Sequence, residues 1–256
     1  MHMTTLEVLF TPAEFTALGQ RELNETVCVV FDVLRATSTM ATALGNGAEA
    51  IIPVADIPEA LAFRDRAPGV LLAGERDGVR IEASLTGGVR FDLGNSPREF
   101  TPEAVRGRSI VMTTTNGTRA LRACARARAV LACSFLNLRA TAQYIAELEP
   151  QHLLLVCSGT LEEAAYEDIL GAGALSELVW HQYARGRVAD SAGMARRLFH
   201  FAHKDLPAAL AESRNGKRLL AKPELREDVA FCARMDRLEL VAELSKAGEV
   251  RKRGSG

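Results

Sequence analysis

Runs of β-branched and aliphatic residues stop at clusters of small polar or charged ones, and most of those clusters open a helical pattern. "LEVLF" precedes a Pro-initiated segment from Pro12, "VCVVF" (27–31) precedes "ATSTMATALGNG", and "AIIPV" (50–54) precedes "IPEALAFRDR". After one interruption, "SIVM", "AVLAC" and "HLLLVC" are each followed by a helix. Strand and helix taking turns confines the chain to an α/β fold with a largely parallel sheet, because parallel neighbours need a crossover and the helix supplies it.

The interruption is "GERDGVRIEASLTGGVRFDLGNSPREFTP", Gly74 to Pro102, where Gly, Asn, Ser and Pro crowd together and helical spacing disappears. It reads as a long irregular loop with a small hairpin, and long loops inside compact proteins are often functional. One longer helix is expected from Glu162 to Trp180, mostly helical sequence to Cys232, and a final strand in "LELVAEL" (238–244). The tail "RKRGSG" is expected to lack structure.

The 31 basic and 32 acidic side chains leave a formal net charge of −1, which gives no general pull toward nucleic acid or an anionic membrane. No apolar run approaches the roughly 20 residues of a membrane span, and "MHMTTLEVLF" lacks the order of a signal peptide. The expected location is the cytoplasm. Cys28, Cys124, Cys133, Cys157 and Cys232 form no close pair and read as buried structural thiols.

Ligands of open parallel sheets bind outside the carboxyl ends of the strands, so the residues that follow each strand matter most. After "VCVVF" come Asp32, Arg35, Thr37, Ser38 and Thr39; after "VLLA" come Glu75 and Arg76; the irregular loop supplies Asn95 and Ser96 in "DLGNSP". "VMTTTNGTRAL" gathers Thr113, Thr114, Thr115, Asn116, Gly117 and Thr118 at one corner, and "SGT" (158–160) follows "HLLLVC". Thr or Asn caps a helix and Gly117 permits a tight turn, but one cap needs one such residue. The surplus donors beside a helix start suit an anion, most naturally phosphate.

Each corner also has a local explanation. Asp32 reads equally as an N-cap with Arg35 as its ion-pair partner, Glu75 and Arg76 as a solvated turn, and "GNSP" as an ordinary turn. Repetition at equivalent topological positions is what favours a site. Asp32, Glu75 and the pair Glu167–Asp168 are acids beside apolar sequence, where an unpaired charge is costly. Carboxylate oxygens of this kind are what Mg²⁺ uses, together with water and substrate phosphate, so Asp32, Glu75 and Asp168 are the candidate metal ligands. The phosphate loop G-x-x-x-x-G-K-[ST] is absent, and "GAGAL" at Gly171 sits inside a helical stretch where close helix packing explains it. His200 and His203 lie one helical turn apart and read as a surface pair.

At "VFDVLRATSTMATALGNGAEAIIPV", then "AGERDG", "FDLGNSPREF", "VMTTTNGTRAL", "SFLN" and "CSGT…YEDILGAGAL", the sequence resembles the 2-phosphosulfolactate phosphatase family. The likeness continues through "SRNGKRLL" and "DVAFCARMDRLELV" and spans nearly the whole chain. It implies a Mg²⁺-dependent phosphomonoester hydrolase with a two-lobed, layered α/β/α fold, which would divide here into 1–107 and 108–256, with the strand near 238–244 able to return to the N-terminal lobe. The family's reaction releases phosphate from 2-phospho-3-sulfolactate, a step toward coenzyme M. Its recurring segments fall on Asp32, Arg35, Ser38, Thr39, Glu75, Arg76, Asn95, Ser96, Thr114, Thr115, Asn116, Gly117 and Asp168. Asp32, Arg35 and Glu75 would be catalytic and the hydroxyls, amides and Arg76 would bind substrate. The chain departs from the family pattern at "VRIEASLTGGVR" (79–90), which lengthens the connection between two of those segments.

The expected partner is a small anionic phosphorylated substrate, with neither nucleic acid nor membrane involved and a homo-oligomer left open. Attack on phosphorus is by a metal-activated water or by the Asp32 carboxylate. Leu34 stands where the paired-aspartate phosphatases carry a second acid, which favours water. The competing class is a noncatalytic binder or sensor of a phosphorylated acid, which needs the basic and hydroxyl groups but not the carboxylates.

Overall fold

The computed structural model describes residues 3–254; Met1, His2, Ser255 and Gly256 lie outside the described residues. The first apolar run becomes strand β1 (Thr5–Leu9), and Thr11 with Glu14 forms a capping box that starts helix α1 (Pro12–Thr16). Strand β2 (Thr26–Phe31) is buried at every position, as a strand inside a parallel sheet covered on both faces must be. Helix α2 (Ala36–Gly45) and strand β3 (Ala50–Pro53) follow. Helix α3 (Ile57–Arg66) is capped by Asp56, which accepts from the Glu59 N–H.

Strand β4 (Leu71–Arg76) turns at Asp77 and Gly78, whose φ angles of 54° and 80° are left-handed, and pairs with β5 (Val79–Arg80). Asp-Gly is the pair that such a two-residue hairpin turn needs. Then come α4 (Pro102–Val105), β6 (Ser109–Thr113), α5 (Gly117–Ala123), β7 (Ala129–Cys133), α6 (Leu138–Leu148) and β8 (His152–Cys157). The remaining elements are α7 (Tyr166–Tyr183), β9 (Arg187–Val188), α8 (Asp190–Ala202), α9 (Leu206–Glu212), α10 (Arg214–Leu220), α11 (Arg226–Cys232), β10 (Ala242–Leu244) and β11 (Val250–Lys252).

Two boundaries differ from the sequence reading. Helix α7 starts at Tyr166 and not at Glu162, because Leu161 takes a left-handed φ of 58° and Thr160 bridges back to Glu163. The tail is ordered as far as Lys252, since Val250–Lys252 pairs with β10 and Val250 with Ile51 of β3.

The described residues form an 11-stranded sheet in the order β5-β4-β6-β3-β11-β10-β7-β2-β8-β1-β9. Strands β4, β6 and β3 make one parallel block and β7, β2, β8, β1 and β9 another. The antiparallel steps β3–β11–β10–β7 join them, so the blocks run in opposite directions. Each block takes strands from both sides of residue 107, and the blocks therefore do not coincide with 1–107 and 108–256.

Alternation along β2 sorts its side chains. Val27, Val29 and Phe31 enter a cluster with Leu155, Leu170 and Leu175, while Cys28 and Val30 enter one with Met40, Leu44 and Leu121. Each such buried aliphatic or aromatic side chain contributes about 1.5–3 kcal/mol. All five cysteines are buried, as the sequence suggested. In α7 a Cβ on Gly171 would come 2.8 Å from Phe31 Cδ1, so the glycine lets the helix press against β2 and brings its first turn beneath the end of that strand. Among the described residues no helix is long and apolar enough to cross a membrane.

Candidate active site

Asp32 directly follows β2, and its Oδ1 accepts the Ala36 N–H at 3.0 Å, so the acid caps α2. Its Oδ2 lies against Gly117: a Cβ there would stand 2.6 Å from that oxygen and 2.8 Å from Ala36 Cβ. Gly117 opens α5 in helical conformation without a positive φ, so its smallness serves this close approach and no unusual turn. Burial, opposed by the Ala36 N–H and reinforced by the nearby charges of Glu75 and Glu167, pushes the Asp32 carboxyl from 3.8 up to about 6.

Glu75, at the end of β4, is held from two sides. Oε1 accepts the Thr115 N–H at 2.9 Å and the Thr115 hydroxyl at 2.8 Å, and Oε2 accepts the Gly78 N–H at 2.8 Å. The threonine corner that reads as a phosphate cradle thus also seats an acid from a neighbouring strand.

Arg35 does not pair with Asp32. Its guanidinium meets Asp228 of α11 at 2.7 Å, with side-chain exposures of 2% and 0%, and gives a second bond to Gly78 O at 2.5 Å. Asp228 also accepts from Ser96 Oγ at 2.7 Å. One buried carboxylate thereby ties the β2 corner to the "GNSP" loop and to the C-terminal helices.

Asp32, Glu75 and Arg35 line a cavity of about 150 Å³. Residues at or just past the carboxyl ends of strands in both blocks line it, Asp32 and Gly159 from one and Glu75 and Thr114 from the other. Of the residues singled out by sequence, Asp32, Arg35, Glu75, Asn95, Thr114, Thr115, Asn116, Gly159 and Thr160 line it. Asn95 Oδ1 and Asn116 Oδ1 are buried and have no hydrogen-bond partner, unusual enough to mark a place where something else should bind.

The others lie outside that lining. Ser38 Oγ donates to Val33 O just before α2, and Thr39 Oγ1 donates to Asn95 O, which fixes the loop behind the cavity. Arg76 turns away from Glu75, as neighbours on a strand do, and donates to Glu75 O and to Thr113 Oγ1. Ser96 is engaged by Asp228. Residues 79–90, where the chain departs from the family pattern, supply no lining residue.

Asp168 sits one layer deeper. Oδ1 accepts the Val33 N–H at 2.8 Å, and Oδ2 accepts Ser158 Oγ and the Gly159 N–H at 3.1 Å each, so both oxygens brace the ends of β2 and β8. Gly159 has a φ of 70°, and a Cβ would meet Glu163 O at 2.5 Å, so only glycine fits this turn. Burial and the charges of Glu167 and Asp32 push the Asp168 carboxyl well above its ordinary range.

Among the described residues no three His, Cys, Asp or Glu side chains gather around a point that could hold a metal. Asp32 and Glu75 face one cavity, and two carboxylates completed by water and substrate phosphate are enough for Mg²⁺. The donor set fits that ion at Asp32 and Glu75 and not at Asp168.

The lining also includes Asp77, Gly78, Asn215, Arg218 and Lys222, to which the sequence assigns no role. Asp77 and Gly78 carried a readable signal in the Asp-Gly turn. Asn215 donates to Thr160 Oγ1 and to Glu167 Oε1, both at 2.6 Å, and so links the β8 corner to the buried acid layer. Nothing local in "SRNGKRLL" shows that α10 returns to the strand ends.

Comparison with known proteins matches residues 14–247 to the family model for 2-phosphosulpholactate phosphatase. A probable 2-phosphosulfolactate phosphatase of Caldicellulosiruptor saccharolyticus is 38% identical over 240 residues, covering 92% of this chain and 96% of the relative. Proteins with the same description in Thermotoga petrophila and a Synechococcus species are each 40% identical, over 84% and 86% of this chain and 88% and 89% of their own lengths. With acids, an arginine and hydroxyls facing one cavity inside the matched region, the chain belongs to the 2-phosphosulpholactate phosphatase family.

Proposed function

We propose that the protein hydrolyses the phosphoester of 2-phosphosulfolactate with Mg²⁺ held at Asp32 and Glu75. The observation that carries this reading is the placing of two buried carboxylates in one small cavity with Arg35 and the Thr114–Asn116 corner. A protein that merely bound an anion would be weakened by acids at the floor of its site. A phosphatase that joins them to the phosphoryl group through a divalent ion needs them.

When bound, Mg²⁺ would neutralise the acid pair and polarise a phosphoryl oxygen. The chain does the rest by positioning. Thr115 and Gly78 fix the Glu75 carboxylate, and the Ala36 N–H fixes Asp32. Arg35, anchored by Asp228 and Gly78 O, keeps the remaining N–H groups of its guanidinium for oxygens on the transferring group. Thr114 and the Asn116 amide face the same group from the β6 corner. Asp32 orients the attacking water, and Leu34 leaves no second acid for a phospho-aspartate route.

Phosphate release from 2-phosphosulfolactate, with Mg²⁺ and after exhaustive chelation, tests the reading. Release that depends on the ion supports it; no release under either condition removes the substrate assignment.

A further inference from the structure

We propose that Arg218 and Lys222 form a subsite for the sulfonate of the substrate at the mouth of the cavity. Arg218 lies on α10 and Lys222 just past its end; both reach Asp77, and both line the cavity. Neither is matched by a buried acid, unlike Arg35 with Asp228. Arg218 stands 3.5 Å from Asp77 Oδ1, an oxygen on a side chain that is 91% exposed and screened by water, and Lys222 Nζ donates only to the backbone, at Asp77 O, 2.5 Å away. Two positive charges at the rim thus lack an internal counter-charge, above a floor that holds Asp32 and Glu75.

Substrate geometry supplies the counter-charge. In 2-phosphosulfolactate the carboxylate is bonded directly to the phosphorylated carbon, whereas the sulfonate is carried one carbon further out. With the phosphoryl group at the floor, the sulfonate is the acid that reaches the mouth. It stays ionised at every working pH and offers three acceptor oxygens. A guanidinium fork and a mobile ammonium, both partly in water, suit it without the cost of a buried unpaired charge. The assignment deepens the phosphatase function proposed above and rests on it for where the phosphoryl group lies.

Calorimetry with 3-sulfolactate and with lactate, neither of which can be hydrolysed, tests the subsite apart from turnover. The wild-type protein should bind sulfolactate more tightly than lactate by about tenfold or more, as for charge-assisted hydrogen bonds. Arg218→Gln with Lys222→Gln should erase most of that preference, while Lys217→Gln, an exposed neighbour outside the cavity, should keep it. A folded double variant that retains the full preference, or a wild-type protein without one, overturns the subsite. If the preference behaves as described but 2-phosphosulfolactate is not hydrolysed, the subsite stands and the hydrolytic function falls.

Discussion

Thr115 gives both its backbone N–H and its hydroxyl to one oxygen of Glu75, at 2.9 and 2.8 Å. The relationship crosses between adjacent strands, β6 to β4, and it turns a threonine-rich corner into the holder of a carboxylate. Removing the hydroxyl alone should therefore harm catalysis more than folding. Thr115→Val keeps the shape and the N–H; a lost hydrogen bond to a charged group is worth about 1.5–3 kcal/mol, so kcat/KM should fall roughly tenfold or more. Steady-state kinetics beside a melting curve checks it: an equal loss in both would make Thr115 structural only.

Gly117→Ala separates backbone from approach. The helical φ at this position accepts alanine, and helix propensity favours it by about 1 kcal/mol. Yet the new methyl would stand 2.6 Å from Asp32 Oδ2, and displacing a reacting group by about 1 Å can lower a rate roughly 100-fold. A folded, nearly inactive variant is expected by circular dichroism and phosphate release. Wild-type kcat would show that Asp32 moves aside freely.

Asp228→Asn leaves Arg35 buried without its counter-charge. Breaking such a pair typically costs about 3–5 kcal/mol, and Arg35 should lose its aim as well. Adding Arg35→Met should restore much of the stability measured in urea while activity stays low. Full recovery of activity in the double variant would remove Arg35 from the site.

The pH dependence follows from Asp32. Its folded pKa of about 6 lies above the ordinary 3.8, so the fold prefers the protonated form. The stability this carries is present below pH 4 and is lost as pH rises through about 6, roughly 3 kcal/mol in all without bound cation. Asp32→Asn should then melt higher than wild type at pH 7 in chelator, with the gap closing toward pH 4. A variant that melts lower at pH 7 would mean that the carboxylate stabilises the fold.

The parts of the site that the sequence exposes are those fixed by strand ends. Asp32, Glu75 and Thr114 to Asn116 each follow an apolar run, and the carboxyl ends of parallel strands are where ligands bind in such sheets. Strand alternation also governs the placement of Arg76: as the neighbour of Glu75 it faces the other side of β4. What no local pattern contains is Asp228, which lies 193 positions from Arg35, or the return of α10 to the cavity. Such partners are chosen by tertiary packing, and short helices like α10 and α11 carry little periodicity to announce it. The order of the two blocks was hidden for the same reason: the β10–β11 pair that joins them touches β7 and β3 through very few residues.

The central claim is that Asp32 and Glu75 act together, through Mg²⁺, on a phosphoryl group. It is tested most directly by single-turnover phosphate release from 2-phosphosulfolactate, measured across a Mg²⁺ titration for wild type, Asp32→Asn and Glu75→Gln. The account predicts saturable dependence on Mg²⁺ in the wild type and, in both folded variants, loss of at least about 1,000-fold in rate, since each removes an acid that holds the ion. Wild-type rates in either variant, or in wild type after complete chelation, would contradict it.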